Sequence, residues 1–119
     1  MSASAPAGLS THVLDLAAGT PAAGVAVALE VWTEGEGWQA LGSAATDADG
    51  RVQELLPPGR ALAAATYRLT FAAADYFRAR GIESFHPEVA VVFRVGDPER
   101  HHHVPLLLAP WGYTTYRGT

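Results

Sequence analysis

Alternation with a period of two is what most restricts the folds open to this chain. In VAVALEVW, Val25 to Trp32, residues Val25, Val27, Leu29 and Val31 fall on one side and Ala26, Ala28, Glu30 and Trp32 on the other. Successive side chains of a strand point to opposite faces, so this segment reads as a half-buried strand with its apolar face inward. The pattern returns where Tyr67, Leu69 and Phe71 alternate with Arg68 and Thr70, and after Pro87 and Glu88, where Val89, Val91, Phe93 and Val95 share a face. Turn signals separate the runs: TEGEG at Thr33 to Gly37, DADG at Asp47 to Gly50, PPG at Pro57 to Gly59 and APWG at Ala109 to Gly112. Further strands are expected over Leu9 to Leu16, Trp38 to Thr46, Arg51 to Leu55, His102 to Leu108 and Tyr113 to Gly118. One segment reads as helix, AAADYFRARG at Ala72 to Gly81, which is Ala-rich, basic in its last turn and closed by Gly. About eight short strands and one short helix predict an all-β fold, an antiparallel β-sandwich.

Size limits the rest. The chain has 119 residues, which fits one domain at the usual figure of roughly 100 to 200 residues each. A chain this small buries about two thirds of its unfolded surface, so its core is thin and subunit association would help it. The ordered domain is expected over residues 9–119, behind a flexible tail over residues 1–8. That tail, MSASAPAG, has neither the charge nor the apolar run of a signal or transit peptide. No apolar stretch approaches the roughly 20 residues of a membrane helix, so a cytoplasmic protein without a membrane partner is expected.

Hydrophobic residues at 49% and charged residues at 17% describe a folded chain, not a disordered one. The formal net charge is -4 and no Lys is present, all basic side chains being Arg. Without a basic excess no nucleic-acid partner is expected, and without Lys neither Schiff-base chemistry nor a P-loop lysine is available. The absence of Cys removes disulfides, thiolate zinc sites and cysteine nucleophiles. Chemistry is left to His, Ser, Thr, Tyr and the carboxylates.

Histidine is the side chain that titrates unperturbed near neutrality. There are five: His12, His86 and the run His101 to His103. Period two puts His12 on the face of Ser10, Leu14 and Leu16, opposite Leu9, Thr11 and Val13. It puts His103 with His101, Pro105 and Leu107, opposite Val104, Leu106 and Leu108. If the second set of each strand lines the interior, His12 and His103 both lie on outer faces. A face carrying His and Leu together suits a lined pocket or a subunit contact. A single strand His is more often only exposed or satisfied. Zinc is a further alternative, with His101 and His103 at i, i+2 and His12 as third ligand. The DADG turn lacks the later Asp and closing Glu of a calcium loop and is read as a turn. At the C-terminus YTTYRGT ends directly on a strand with Thr114, Tyr116 and Gly118 on one face, so the carboxylate of Thr119 is expected near a site, the alternative being a last strand that simply stops.

Taken together, LSTHVLD at the start, TDADGR in the middle and HHHVPLLLAPWGYTTYRGT at the end make the chain resemble the 5-hydroxyisourate hydrolase family, the transthyretin-related enzymes of purine breakdown. The family pattern is roughly LSTHVLD, then T-D/N-x-D-G-R, then H-Y-H-V-P-L-L-L-S-P-Y and a terminal YRGS. The resemblance covers about Leu9 to Thr119 and implies a transthyretin-like sandwich. It implies that His12, Arg51 and His103 are catalytic and that Tyr116, Thr119 and Arg51 bind substrate. No metal or cofactor is implied. The implied reaction is hydrolysis of 5-hydroxyisourate to 2-oxo-4-hydroxy-4-carboxy-5-ureidoimidazoline, with water activated by the His12 and His103 pair. Arg51 would hold the oxyanion. A homotetramer, a dimer of dimers with active-site channels between outer sheet faces, is implied as well. Transthyretin carriers on the same fold lack the His, Arg, His set and the YRGS end, which favours the enzyme over the alternative kept beside it, a transthyretin-like small-molecule carrier without catalysis. Departures from the pattern are Thr119 for Ser, His102 for Tyr, Ala109 for Ser and Trp111 for Tyr; they bear on substrate tightness more than on reaction class.

Overall fold

The computed structural model describes residues 7–119; six of the eight residues of the expected tail lie outside the described residues. The chain runs β1 (Leu9–Asp15), β2 (Thr20–Pro21), β3 (Ala26–Thr33), β4 (Gly37–Ala45), β5 (Arg51–Val52), β6 (Ala65–Phe71), α1 (Ala73–Arg78), β7 (Val89–Val95), β8 (His102–Ala109) and β9 (Gly112–Thr115). One sheet has the order β2-β1-β8-β9 with β5 also on β1, and the other has the order β4-β3-β6-β7. The expected all-β sandwich with one short helix is therefore the observed architecture.

Three details differ from the sequence reading. The strand β2 was not expected: it is two exposed residues, one of them Pro, with no alternation to read. Two expected strands are shorter than read: β5 stops at Val52 instead of Leu55, and β9 stops at Thr115, with only an isolated bridge between His103 and Gly118 continuing the pairing. Most consequential, β1 and β8 run parallel, from Leu9 opposite His102 to Asp15 opposite Leu108. The remaining pairs are antiparallel. Alternation fixes which face a strand buries but not which neighbour it takes or in what direction.

The core lies between the sheets. Val27, Leu29 and Val31 of β3, Tyr67, Leu69 and Phe71 of β6, and Val89, Val91 and Val95 of β7 meet Leu9, Val13, Val104, Leu106 and Leu108 of the first sheet. Each such side chain contributes about 1.5 to 3 kcal/mol on burial. Polar groups on this inner face are satisfied locally: Thr11 donates from Oγ1 to the Val104 carbonyl at 2.6 Å.

Helix α1 has no side-chain cap and is too short to persist by propensity alone. It is held by packing of Ala73, Tyr76 and Phe77 and by the Tyr76 hydroxyl, which donates to Asp15 Oδ2 at 2.8 Å. Asp15 also accepts from the Ala17 and Ala18 amides, so one buried carboxylate ends β1, shapes the following turn and ties the helix to the sheet.

Candidate active site

The parallel register of β1 and β8, with β5 paired on β1, brings His12, Arg51 and His103 onto one outer face. Ser10 stands opposite His103, and His12 stands opposite Pro105 on one side and Arg51 of β5 on the other. Residues Ser10 and His12 are two apart in β1 and share that face. From three strands, then, come Arg51, His12, Ser10 and His103. Arg51, Ser10, His101, His103 and Thr119 line a cavity of about 540 Å³.

The turn before β5 fixes Arg51 and His12 together. Asp47 Oδ1 accepts the Asp49 and Arg51 amides, each at 2.9 Å, and the Asp47 amide donates to the Arg51 carbonyl. Gly50 has φ 76° and its carbonyl accepts from Val13 N at 2.7 Å. Any side chain at position 50 would run into the Val13 carbonyl, so the turn needs Gly for space as well as for conformation. The same turn presents the Asp49 carbonyl 2.9 Å from His12 Nε2. A carbonyl only accepts, so His12 carries its proton on Nε2 and has a free lone pair on Nδ1 when neutral. Arg51 is exposed and makes no ion pair among the described residues, so its fork is free for a ligand.

His103 is half-buried and held from two sides. Its Nδ1 lies 2.7 Å from the Ser10 hydroxyl, and its carbonyl accepts from Gly118 N at 2.8 Å. Gly118 lies flat against the imidazole: a Cβ there would come within 2.6 Å of Cδ2. Burial, then the charge of Arg51, then His12 and His101 hold the His103 imidazolium below the ordinary pKa of 6.5. The ring is thereby kept neutral, the form that can take a proton.

The remaining expected residues are placed as follows. Thr119 lines the cavity with His103 and Arg51. Tyr116 is 55% exposed and borders, with Arg117 and His102, a separate cavity of about 230 Å³ toward β7; within one chain it does not join Arg51. His102 points inward and is buried, with Nδ1 donating to the Arg100 carbonyl at 2.8 Å. His101 and His103 do not converge on a common point with His12; the Ser10 hydroxyl joins them instead, 2.7 Å from His101 Nε2. Among the described residues no group of three or more His, Cys, Asp and Glu could hold a metal ion. Ser10 is the site residue that sequence reasoning missed. Its place on the face of His12 was legible, but its contact with His103 depends on a pairing between residues 93 apart.

Comparison with known proteins identifies the family and the fold. The sequence model of the HIUase/Transthyretin family matches residues 9–118. A Caulobacter vibrioides 5-hydroxyisourate hydrolase is 47% identical over 116 residues, spanning 94% of this chain and 98% of its own length. The structure of Klebsiella pneumoniae 5-hydroxyisourate hydrolase superposes with a TM-score of 0.81 at 37% identity, covering 95% of this chain and 94% of that one. Sea bream transthyretin in complex with thyroxine superposes with a TM-score of 0.86 at 34% identity, covering 93% and 94%.

Proposed function

The chain belongs to the HIUase/transthyretin family, and we propose that the outer face shared by β1, β5 and β8 is its active site. The protein is an enzyme of urate degradation that hydrolyses 5-hydroxyisourate to 2-oxo-4-hydroxy-4-carboxy-5-ureidoimidazoline. Because a thyroxine-bound transthyretin shares the backbone, the activity must reside in side chains rather than in the fold.

In this reading water attacks a carbonyl of the six-membered ring. A carbon–oxygen bond forms, the ring carbon–nitrogen bond breaks, one water proton passes to an imidazole of the His12 and His103 pair, and the leaving nitrogen is protonated in turn. Arg51 holds the oxyanion, for which its free planar fork is suited. Thr119 bounds the substrate on the side of His103. Tyr116, which borders the neighbouring cavity toward β7, is assigned to substrate binding together with Thr119 and Arg51. The reaction written this way needs no metal or cofactor.

The observation that carries the reading is the register of β5, β1 and β8, which stands Arg51 beside His12 and His103 across Ser10 on one open face. Alanine at His12, Arg51 or His103 tests it. Loss of a positioned base costs about 10² to 10⁴ in rate, and loss of an oxyanion donor about 10² to 10³. Wild-type rates in all three variants would remove the site from this face.

The reading includes a homotetramer, a dimer of dimers, acting in the cytoplasm on residues 9–119 as one domain. Its support is uncovered apolar surface on a small domain: Phe85 is 65%, Trp111 67% and Tyr113 40% exposed, and the Phe85 and Trp111 rings lie 6.2 Å apart, tilted by 33°. The outer edges of β7 and β9 are unpaired among the described residues, which invites strand pairing between subunits. Light scattering giving a stable monomer of 12.5 kDa would exclude the assembly, and fractionation of the producing cell would test the compartment. Among the described residues no helix is long and apolar enough to cross a membrane.

A further inference from the structure

Ser10 is buried, and its hydroxyl stands 2.7 Å from His103 Nδ1 and 2.7 Å from His101 Nε2. A hydroxyl has one proton and two lone pairs, so it accepts from one imidazole while donating to the other. The line of three groups therefore has two polarities. In the first, His103 Nδ1–H donates to Ser10, Ser10 donates to His101 Nε2, and His103 Nε2 is a bare lone pair. In the second, His101 Nε2–H donates to Ser10, Ser10 donates to His103 Nδ1, and His103 Nε2 carries the proton. The two ends differ in surroundings. His103 is half-buried, with Arg51 facing it from β5 and His12 from β1, whereas His101 is exposed. Positive charge on His103 is poorly hydrated and faces a fixed cation, while on His101 it is solvated.

On the reading of the site given above, we propose that Ser10 and His101 are positioning residues of a proton relay that resets His103 during turnover. The proton of the attacking water goes to His103 Nε2 as the carbon–oxygen bond forms. His103 Nδ1 passes its own proton to Ser10 Oγ while Ser10 passes its hydroxyl proton to His101 Nε2. The charge now rests on His101, which releases its Nδ1 proton to solvent, and His103 is neutral with its proton on Nε2. That Nε2–H is the acid for the leaving ring nitrogen. As it is given up, the line shifts back, His101 takes a proton from solvent, and the first polarity is restored. One proton leaves and one returns, so the net reaction is the addition of water.

Ser10→Ala cuts the line, Ser10→Thr keeps the hydroxyl, and His101→Asn changes an exposed group without touching the core. Misplacing a catalytic group costs on the order of 10² in rate, so Ser10→Ala and His101→Asn should lower kcat by up to about that amount with KM little changed. Ser10→Thr should restore most of the rate, and added imidazole, a mobile proton carrier, should raise kcat in the two impaired variants but not in the wild type. The acid limb of the pH profile should also move in both. Wild-type kcat in Ser10→Ala and His101→Asn overturns the relay, as does a loss in Ser10→Ala that neither Thr nor imidazole relieves. His103→Ala separates the two ideas. If it keeps full activity the site itself falls; if it is inactive while Ser10→Ala is unimpaired, only the relay does.

Discussion

Replacing Gly118 by Ala isolates the positioning of one ring. Gly118 bridges His103 through its amide, and its φ is not in the left-handed region, so Ala meets no backbone penalty there. What it meets is the imidazole: the new methyl would stand 2.6 Å from Cδ2 and 3.3 Å from Cγ and Cβ of His103. Carbon atoms are at rest about 3.5 to 4.0 Å apart, so the ring edge must retreat by roughly 0.9 Å. The backbone of His103 is fixed by Ser10 on one side and Gly118 on the other, which leaves the movement to the side-chain torsions. A swing of that size breaks the 2.7 Å contact with Ser10 and carries the reactive nitrogen out of line. Misplacement by about 1 Å costs on the order of 10² in rate, or about 2.7 kcal/mol of transition-state stabilisation. The assay is the decay of 5-hydroxyisourate absorbance under saturating and subsaturating substrate, with light scattering and a thermal melt on the same sample. The expected result is a fall of about 10² in kcat with assembly intact. Wild-type kcat in a folded Gly118→Ala protein would refute the requirement for a fixed His103 ring.

Other outcomes follow from the same geometry. Because burial first and Arg51 second hold His103 below 6.5, its neutral form persists as pH falls through that value. The acid limb of kcat/KM should therefore lie below 6.5, and Arg51→Gln, which removes the second cause, should shift the limb of the residual activity upward. Tyr76→Phe should leave the rate unchanged but cost about 1.5 to 3 kcal/mol in urea unfolding, since it removes a donor from the buried Asp15 carboxylate. Burial, then the bond to Asp15, pushes the Tyr76 hydroxyl up to about 12. Its contribution is thus complete below the unfolded value of about 10 and lost as pH rises from there through the folded value, a dependence the Phe variant should lack. Chelation followed by removal of the chelator should leave activity unchanged, and loss restored by zinc would contradict the mechanism.

The strands that pack on both sides of the core were legible because each carries its own signal. Val27, Leu29 and Val31, or Tyr67, Leu69 and Phe71, announce a buried face without reference to any other segment. The same reasoning put Val13 and Val104 inside and His12 and His103 outside, which is where they lie. Partner choice was not legible. The parallel joining of β1 to β8 lies in no single segment, and with it went the role of Ser10, whose hydroxyl is unremarkable until His103 is drawn up beside it. Tyr116 shows the opposite case: alternation aligned it with Thr114 and Gly118, but the strand ends at Thr115 and the ring turns toward another groove. The motif resemblance pointed to what local physics could not, namely the grouping of an exposed Arg after a turn and two histidines on separate strands into one proposed site.

The central claim is that neutral His103, with His12 and Arg51, drives the opening of 5-hydroxyisourate on this sheet face. Its most direct measurement is the disappearance of freshly generated 5-hydroxyisourate, followed by ultraviolet absorbance against the spontaneous decay, in parallel for the wild type and His103→Ala at equal concentrations of folded protein. The account predicts fast decay with the wild type and a rate lower by about 10² to 10⁴ with His103→Ala. Equal acceleration by both proteins would contradict it.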